Sequence, residues 1–261
     1  MIVKSLEQFL QISKALDRQG LYDEDDAFFY DRLVPPTGEP TPIRVRSIAG
    51  LIPLLPASPL PRPTADGIAR LGKGFALVRE NWLREVGSVI GRVREMEGRE
   101  AILVSVLHPD RIGDALRPFF DEGEFLSPHG LRSLSKRYDA APYDLPGVPG
   151  ASIDYEPAES MTPMFGGNSN WRGPVWMPLN YLAIRQFANL DHFLGDALTV
   201  EYPTGSVTRL RLGAVAQDLA ERLLSIWMPD GRGRRPVYGA VTRLQEDPAW
   251  KDNLLFFEYF N

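Results

Sequence analysis

The run GGNSNWRGPVWMP, residues 166–178, has neither the 3.6-residue period of a helix nor the two-residue alternation of a strand. Gly166 and Gly167 admit backbone conformations closed to other residues, whereas Pro174 and Pro178 fix φ. Directly after it, PLNYLAIRQFANL restores a helical period, with Pro178 suited to the first turn. A rigid, aromatic loop feeding a helix is thus the unit from which the fold is read.

The same alternation of helix and ordered loop extends outward on both sides. RLGAVAQDLAERLLSIWM is helical in period, and HPDRIGDALRPFFDE starts with Pro in its first turn and aligns Ile112, Leu116, Phe119 and Phe120, with Pro118 able to end it. Near the N-terminus SLEQ matches a capping box at Ser5, and Gly20 is a suitable residue after a helix end. Thr64 can cap a further helix running through FALVRENWLREVGSVIGRVREM. VRSIAGLIPLL (45–55) is a short apolar segment that Pro53 would break or cap. Residues 56–64, PASPLPRPT, read as a Pro-rich internal connection, and residues 123–178 as a long irregular stretch. Strand candidates are confined to 101–106, 198–202 and 236–241. The expectation is a mainly α chain, helices joined by long aromatic loops, with a site built from loops at one end.

Within the opening stretch, Trp171 and Trp176 offer flat apolar faces with one N–H each, suited to the C–H face of a sugar ring. Arg172 offers a planar fork of donors, and Asn168 and Asn170 both donate and accept, as hydroxyls do. The same residues also fit a structural loop in which the Trp rings plug the core and the Asn side chains cap turns. In NLLFFEYFN, Glu258 stands between Phe257 and Tyr259, where a buried carboxylate is costly as an anion and suited to general acid or base work. The competing reading places Glu258 on the solvent side of a helix whose apolar face is Leu254, Leu255 and Phe256. YEPAES sets Glu156 and Glu159 three apart, within reach of a polar ligand or of solvent.

The remaining chemistry is sparse. The acidic run Asp23, Glu24, Asp25, Asp26 lacks the alternating spacing and Gly of a calcium loop and reads as a solvated turn. The His residues at 108, 129 and 192 form no ligand pair, so neither a metal nor a cofactor is expected. A formal charge of −5 with scattered basic residues argues against nucleic acid. No cysteine is present, the N-terminus is not a signal peptide, and no run approaches the ~18 apolar residues of a membrane span. A cytoplasmic chain without a membrane partner is expected.

Taken in order, FLSPHGLRSLS, DYEPAES, MFGGNSNWRGPVWMPLNYL, EYPTGS, RRPVYG and LLFFEYF resemble the C-terminal catalytic domain of family-63 glycoside hydrolases. The likeness is to the bacterial mannosylglycerate hydrolase-like branch, and GLYDEDDAFFYDRL and RVRSIAGLIPLL are similar to earlier segments of that family. The resemblance implies an (α/α)6 barrel, a six-hairpin toroid, and inverting hydrolysis of an α-linked glucoside or mannoside. Two carboxylates ~6.5–9.5 Å apart then act as acid and base. It implies Glu258 as the general base and Trp171, Arg172, Gly173 and Trp176 as the sugar-binding wall, joined by Asn168 and Asn170, with Arg132 of GLRSLS in the same pocket. The family's acid is an Asp on an earlier motif that nothing before residue 21 matches, and its pattern continues past Glu258. The resemblance therefore implies that 1–261 is a single, partial barrel domain lacking its acid, with a carbohydrate as substrate and a second polypeptide completing the barrel. The alternative is a catalytically silent carbohydrate-binding or scaffold fragment.

Overall fold

The helical periods become helices. In a computed structural model, which describes residues 2–61, 63, 64, 67, 90–96 and 98–260, α1 spans Ile2–Arg18, with Gly20 beyond its end at φ +58°. This helix begins three residues before the capping-box Ser5. α2 is Pro109–Leu116, and the chain tightens into a 3-10 turn over Arg117–Phe120 where Pro118 stands. A four-residue α3 follows at Arg137–Ala140; α4 is Met177–Leu194, α5 is Leu212–Ser225 and α6 is Thr242–Glu246. VRSIAGLIPLL holds a 3-10 helix, Ile48–Leu54, that accommodates Pro53 inside it. No helix among the described residues is long and apolar enough to cross a membrane.

The mainly α, (α/α)6-barrel expectation is overturned. The structure is mixed α/β, 40% helical and 19% strand among the described residues, with several short antiparallel sheets in place of a toroid of helical hairpins. In chain order the strands are β1 (Tyr22–Asp23), β2 (Phe28–Phe29), β3 (Asp31–Leu33), β4 (Thr41–Ile43), β5 (Ser58–Pro61), β6 (Ile90–Met96) and β7 (Arg99–Val104). They continue as β8 (Leu126–Ser127), β9 (Gly130–Leu131), β10 (Tyr143–Asp144), β11 (Ser152–Ile153), β12 (Val175–Trp176), β13 (Thr199–Glu201), β14 (Arg209–Arg211) and β15 (Tyr259–Phe260). Most are two or three residues long, too short for alternation to register in sequence.

The Pro-rich segment at 56–64 is no free connection. Its Ser58–Pro61 stretch is the edge strand of the three-stranded sheet β5–β7–β6, where Pro59 and Pro61 are tolerated because an edge strand leaves donors unpaired. The helix expected from Thr64 onward falls mostly on residues outside those described; its last seven, Ile90–Met96, are β6. The strand candidates at 101–106 and 198–202 overlap β7 and β13, while 236–241 contains a 3-10 turn at Pro236–Tyr238.

The main core gathers around α4 and α5. Ala183, Phe187, Leu190 and Phe193 of α4 are buried together with Leu212, Val215, Ala216 and Leu219 of α5. Phe120 meets Phe187 and Tyr202 edge-on at 5.5 and 5.3 Å, and Phe28, Phe119 and Phe125 form a second ring cluster. Gly50 closes that cluster, since a Cβ built there would stand 2.4 Å from Cζ of Phe28. Gly50→Ala is expected to cost roughly 1–3 kcal/mol by overpacking, read as a lower urea midpoint at unchanged slope.

The acidic turn at 23–26 is an ion-paired corner. Asp26 accepts from Arg44, Arg46 and the Tyr30 hydroxyl, Asp23 pairs with Arg44, and Glu24 pairs with Arg111. Arg46 extends the network to Glu124 at 3.0 Å, and Ser135 and Arg137 complete the coordination of that carboxylate. The N-terminal hairpins are thereby fastened to the GLRSLS region.

A second charged contact joins α4 to β14 and the start of α5. Arg211 forks onto both oxygens of Asp191, at 3.1 and 2.9 Å, and a Cβ on Gly213 would stand 2.6 Å from the same carboxylate. Burial alone would push the Asp191 carboxyl up; Arg211 and the Gly213 backbone N–H outweigh it and hold it below its ordinary value of 3.8. A depressed carboxylate contributes stability that is present above the unfolded-state pKa and lost as pH falls through the lower folded value. Asp191→Asn is therefore expected to destabilise the protein at neutral pH. The gap from wild type should shrink once pH drops below 3.8, as followed by thermal melts across pH.

Candidate functional site

The GGNSNWRGPVW loop is fastened along one side to the GLRSLS segment. Ser133 donates its backbone N–H to the Pro174 carbonyl at 2.9 Å, its hydroxyl accepts the Gly173 N–H at 3.0 Å, and Arg132 and Val175 form a bridge. Asn180, in the second turn of α4, accepts the Leu131 N–H and returns its amide to the carbonyls of Leu131 and Trp176. The other side of the loop pairs with the terminal aromatic motif: β12 and β15 run antiparallel, with Val175 opposite Phe260 and Trp176 opposite Tyr259.

Inside the loop, Asn168 plays a capping part, its Oδ1 accepting the Asn170 N–H at 3.1 Å. Gly166 and Gly167 take φ of +68° and +73°, the left-handed region their lack of Cβ permits. Gly173, at φ +125°, lies under the Tyr155 ring, and a Cβ there would stand 2.3 Å from that ring. Arg172 is 0% exposed. Its guanidinium pairs with Glu156 at 2.8 Å, reaches the Thr162 hydroxyl at 2.7 Å and donates to the Asp154 carbonyl. It is a strut that ties the loop to residues 154–162, with its fork already occupied.

What reaches the outer face is a smaller set. Trp171 and Trp176 meet at 72° with ring centroids 4.8 Å apart, both half-buried. Oε1 of the exposed Glu258 accepts from the Trp176 indole N–H at 2.9 Å and the Asn170 amide at 2.8 Å. Its second oxygen, Oε2, takes no hydrogen bond from the described residues. The helix considered for 254–258 does not form: Glu258 precedes β15, and its carbonyl accepts the Met177 N–H that opens α4. The structure thus brings Asn170, Trp171, Trp176 and Glu258 together, with the exposed Asn168 capping Asn170 beside them, and buries Arg172, Gly173 and Arg132.

Glu159 of YEPAES joins it through Ser169 and Tyr259, two residues not selected from sequence. Glu159 accepts from the Tyr259 hydroxyl and the Ser169 hydroxyl, each at 3.3 Å. Ser169 and Tyr259 adjoin Asn170 and Glu258 in the chain, so the same two segments that hold Glu258 also hold a second exposed carboxylate. The Glu156/Glu159 spacing was a visible signal, but nothing local distinguished the member turned to Arg172 from the member turned to Tyr259. Among the described residues no group of His, Asp or Glu is arranged to hold a metal ion.

No family model matches the chain. A curated protein of Saccharomyces cerevisiae (strain ATCC 204508 / S288c), "Uncharacterized protein YMR196W", is 34% identical over 256 residues, which cover 95% of this chain and 23% of that protein. The chain accordingly spans under a quarter of the length of the curated relative it matches.

Proposed function

We propose that the Trp171/Trp176 face binds carbohydrate and that Glu258 is the general base of an inverting hydrolysis of an α-linked glucoside or mannoside. One observation carries the reading: Glu258 is oriented by two donors on a single oxygen, leaving the other oxygen available to a water beside two indole rings. A carboxylate held in this way can take a proton from water without first losing its position, which is what general-base catalysis needs. The indole faces suit the C–H surface of a pyranose. The ordered resemblance of the motifs to family-63 glycoside hydrolases supports the same substrate class.

Protonation of the leaving oxygen requires a second carboxyl group. The acid of the resembled family has no counterpart in this chain, and the exposed Glu159, held by Ser169 and Tyr259, is the candidate we put in its place. A cytoplasmic setting belongs to the same proposal and rests on a chain with no cysteine to oxidise.

The test uses α-glucosides and α-mannosides with aryl leaving groups alongside α-linked disaccharides, with the first-formed product anomer read by NMR. Hydrolysis with inversion is the expected result. Turnover of the aryl compounds alone would mark an enzyme without an effective acid. Hydrolysis with retention would overturn the inverting reading, and turnover of none despite sugar binding would overturn the hydrolase reading and leave a carbohydrate-binding face.

A further inference from the structure

Side chains alternate across a strand, so the β12–β15 ribbon has two faces. Trp176 and Tyr259 belong to the face just described, while Val175 and Phe260 turn the other way and line a cavity of about 440 Å³. Its polar lining includes Arg132, His129 and Tyr155, and Ala240 stands exposed at its edge.

Arg132 stands apart from the other buried arginines of the described residues. Among the described residues three arginines are buried: Arg46, Arg132 and Arg172. Arg46 has Glu124 and Asp26, and Arg172 has Glu156, but Arg132 has no carboxylate within ion-pair distance among the described residues. One of its terminal nitrogens is held by the carbonyls of Glu122, Glu124 and Leu126, leaving the cationic charge itself unbalanced at 9% exposure. Buried charges are ordinarily paired, and a cation lining a cavity without a partner is suited to an anion arriving from outside.

The neighbouring groups narrow the ligand. His129 Nδ1 stands 2.8 Å from the Ser225 hydroxyl, whose own proton goes to the Arg222 carbonyl at 2.6 Å. Ser225 Oγ must therefore accept, His129 donates through Nδ1, and Nε2 carries a lone pair that no described residue occupies. Burial pushes the imidazole below its ordinary value, against a hydrogen bond to the Arg222 backbone that raises it, and so favours the neutral ring. Burial pushes the Tyr155 hydroxyl up, with Arg132 opposing, so it remains a protonated donor at neutral pH.

We propose that this cavity is a second small-molecule site, separate from the Trp–Glu258 face, which binds a hydroxylated organic anion of about monosaccharide size. The acid group pairs with Arg132, and a ligand hydroxyl donates to Nε2 of His129. The volume lies within the ~300–1,000 Å³ of ordinary ligand pockets.

The test is calorimetric titration at low salt with gluconate, glucose 6-phosphate, inorganic phosphate and neutral glucose. Gluconate, glucose 6-phosphate or both should bind the wild type, at least tenfold more tightly than glucose or phosphate. The comparison of carboxylate with phosphate ester identifies the acid group. Arg132→Gln should weaken that binding at least tenfold. Ala240→Trp, a substitution at an exposed position that narrows the cavity edge, should do the same and serves if Arg132→Gln does not fold. Binding of neither organic anion, glucose binding as tight as theirs, or affinity unchanged in Ala240→Trp would overturn the proposal. Loss of anion binding in Glu258→Gln would also overturn it, by moving the anion to the Trp face.

Discussion

Glu258→Gln is expected to lower kcat on an α-glycoside by roughly 10²–10⁴-fold, the range over which a positioned general base contributes. The substitution separates chemistry from architecture. A glutamine Oε1 can still accept from the Trp176 indole and the Asn170 amide, so the contacts at 2.9 and 2.8 Å have a counterpart in the variant. What it loses is the anionic oxygen that takes the proton. Because Glu258 is exposed, the change in folding stability should stay within about ±0.5 kcal/mol, as for most surface positions. KM should move far less than kcat, and sugar binding followed by Trp fluorescence should persist. Activity that survives the substitution would remove Glu258 from the mechanism.

Arg172→Ala should show the largest effect on stability, a loss of about 3–5 kcal/mol, as for breaking a buried ion pair from one side. The cost lies in what is left behind: Glu156 without its cation, and the Thr162 hydroxyl and Asp154 carbonyl without their donor. Against a typical total of about 5–15 kcal/mol, such a loss approaches the stability of a small domain. Urea titration should therefore show a much lower midpoint. Adding Glu156→Ala should cost less than the sum of the two single changes, because the orphaned charge is then removed as well. A ligand-facing Arg172 would behave oppositely, with binding lost and the midpoint held. The two measurements together decide between strut and sugar contact.

The helices were legible because their signal is local and repeated. Phe187, Leu190 and Phe193 recur on one face of α4, and Leu212, Val215, Ala216 and Leu219 do so on α5. The strands were mostly not legible, since a two-residue strand such as Val175–Trp176 has no period to detect and exists only because Tyr259–Phe260 lies beside it. PASPLPRPT misled for a related reason: its prolines resemble a linker until β7 supplies the partner that makes it an edge strand. An α-only architecture followed from reading helices and leaving the rest as loops.

The amino-acid sequence by itself determined the long helices and the rigidity of the 166–178 loop. It also showed that two indoles, two amides and a terminal carboxylate were available for one site. Only the tertiary structure decided which of these side chains face outward. Arg172 has the same planar fork whether it meets a sugar or Glu156, and the choice rests on residues 10 to 18 positions upstream that the chain folds back beneath it. Glu258 owes its orientation to Asn170 and Trp176, 88 and 82 residues away, and Arg132 its unpaired charge to the packing around a cavity. Propensity and turn chemistry act over a few residues, whereas burial and charge pairing depend on which distant segments meet.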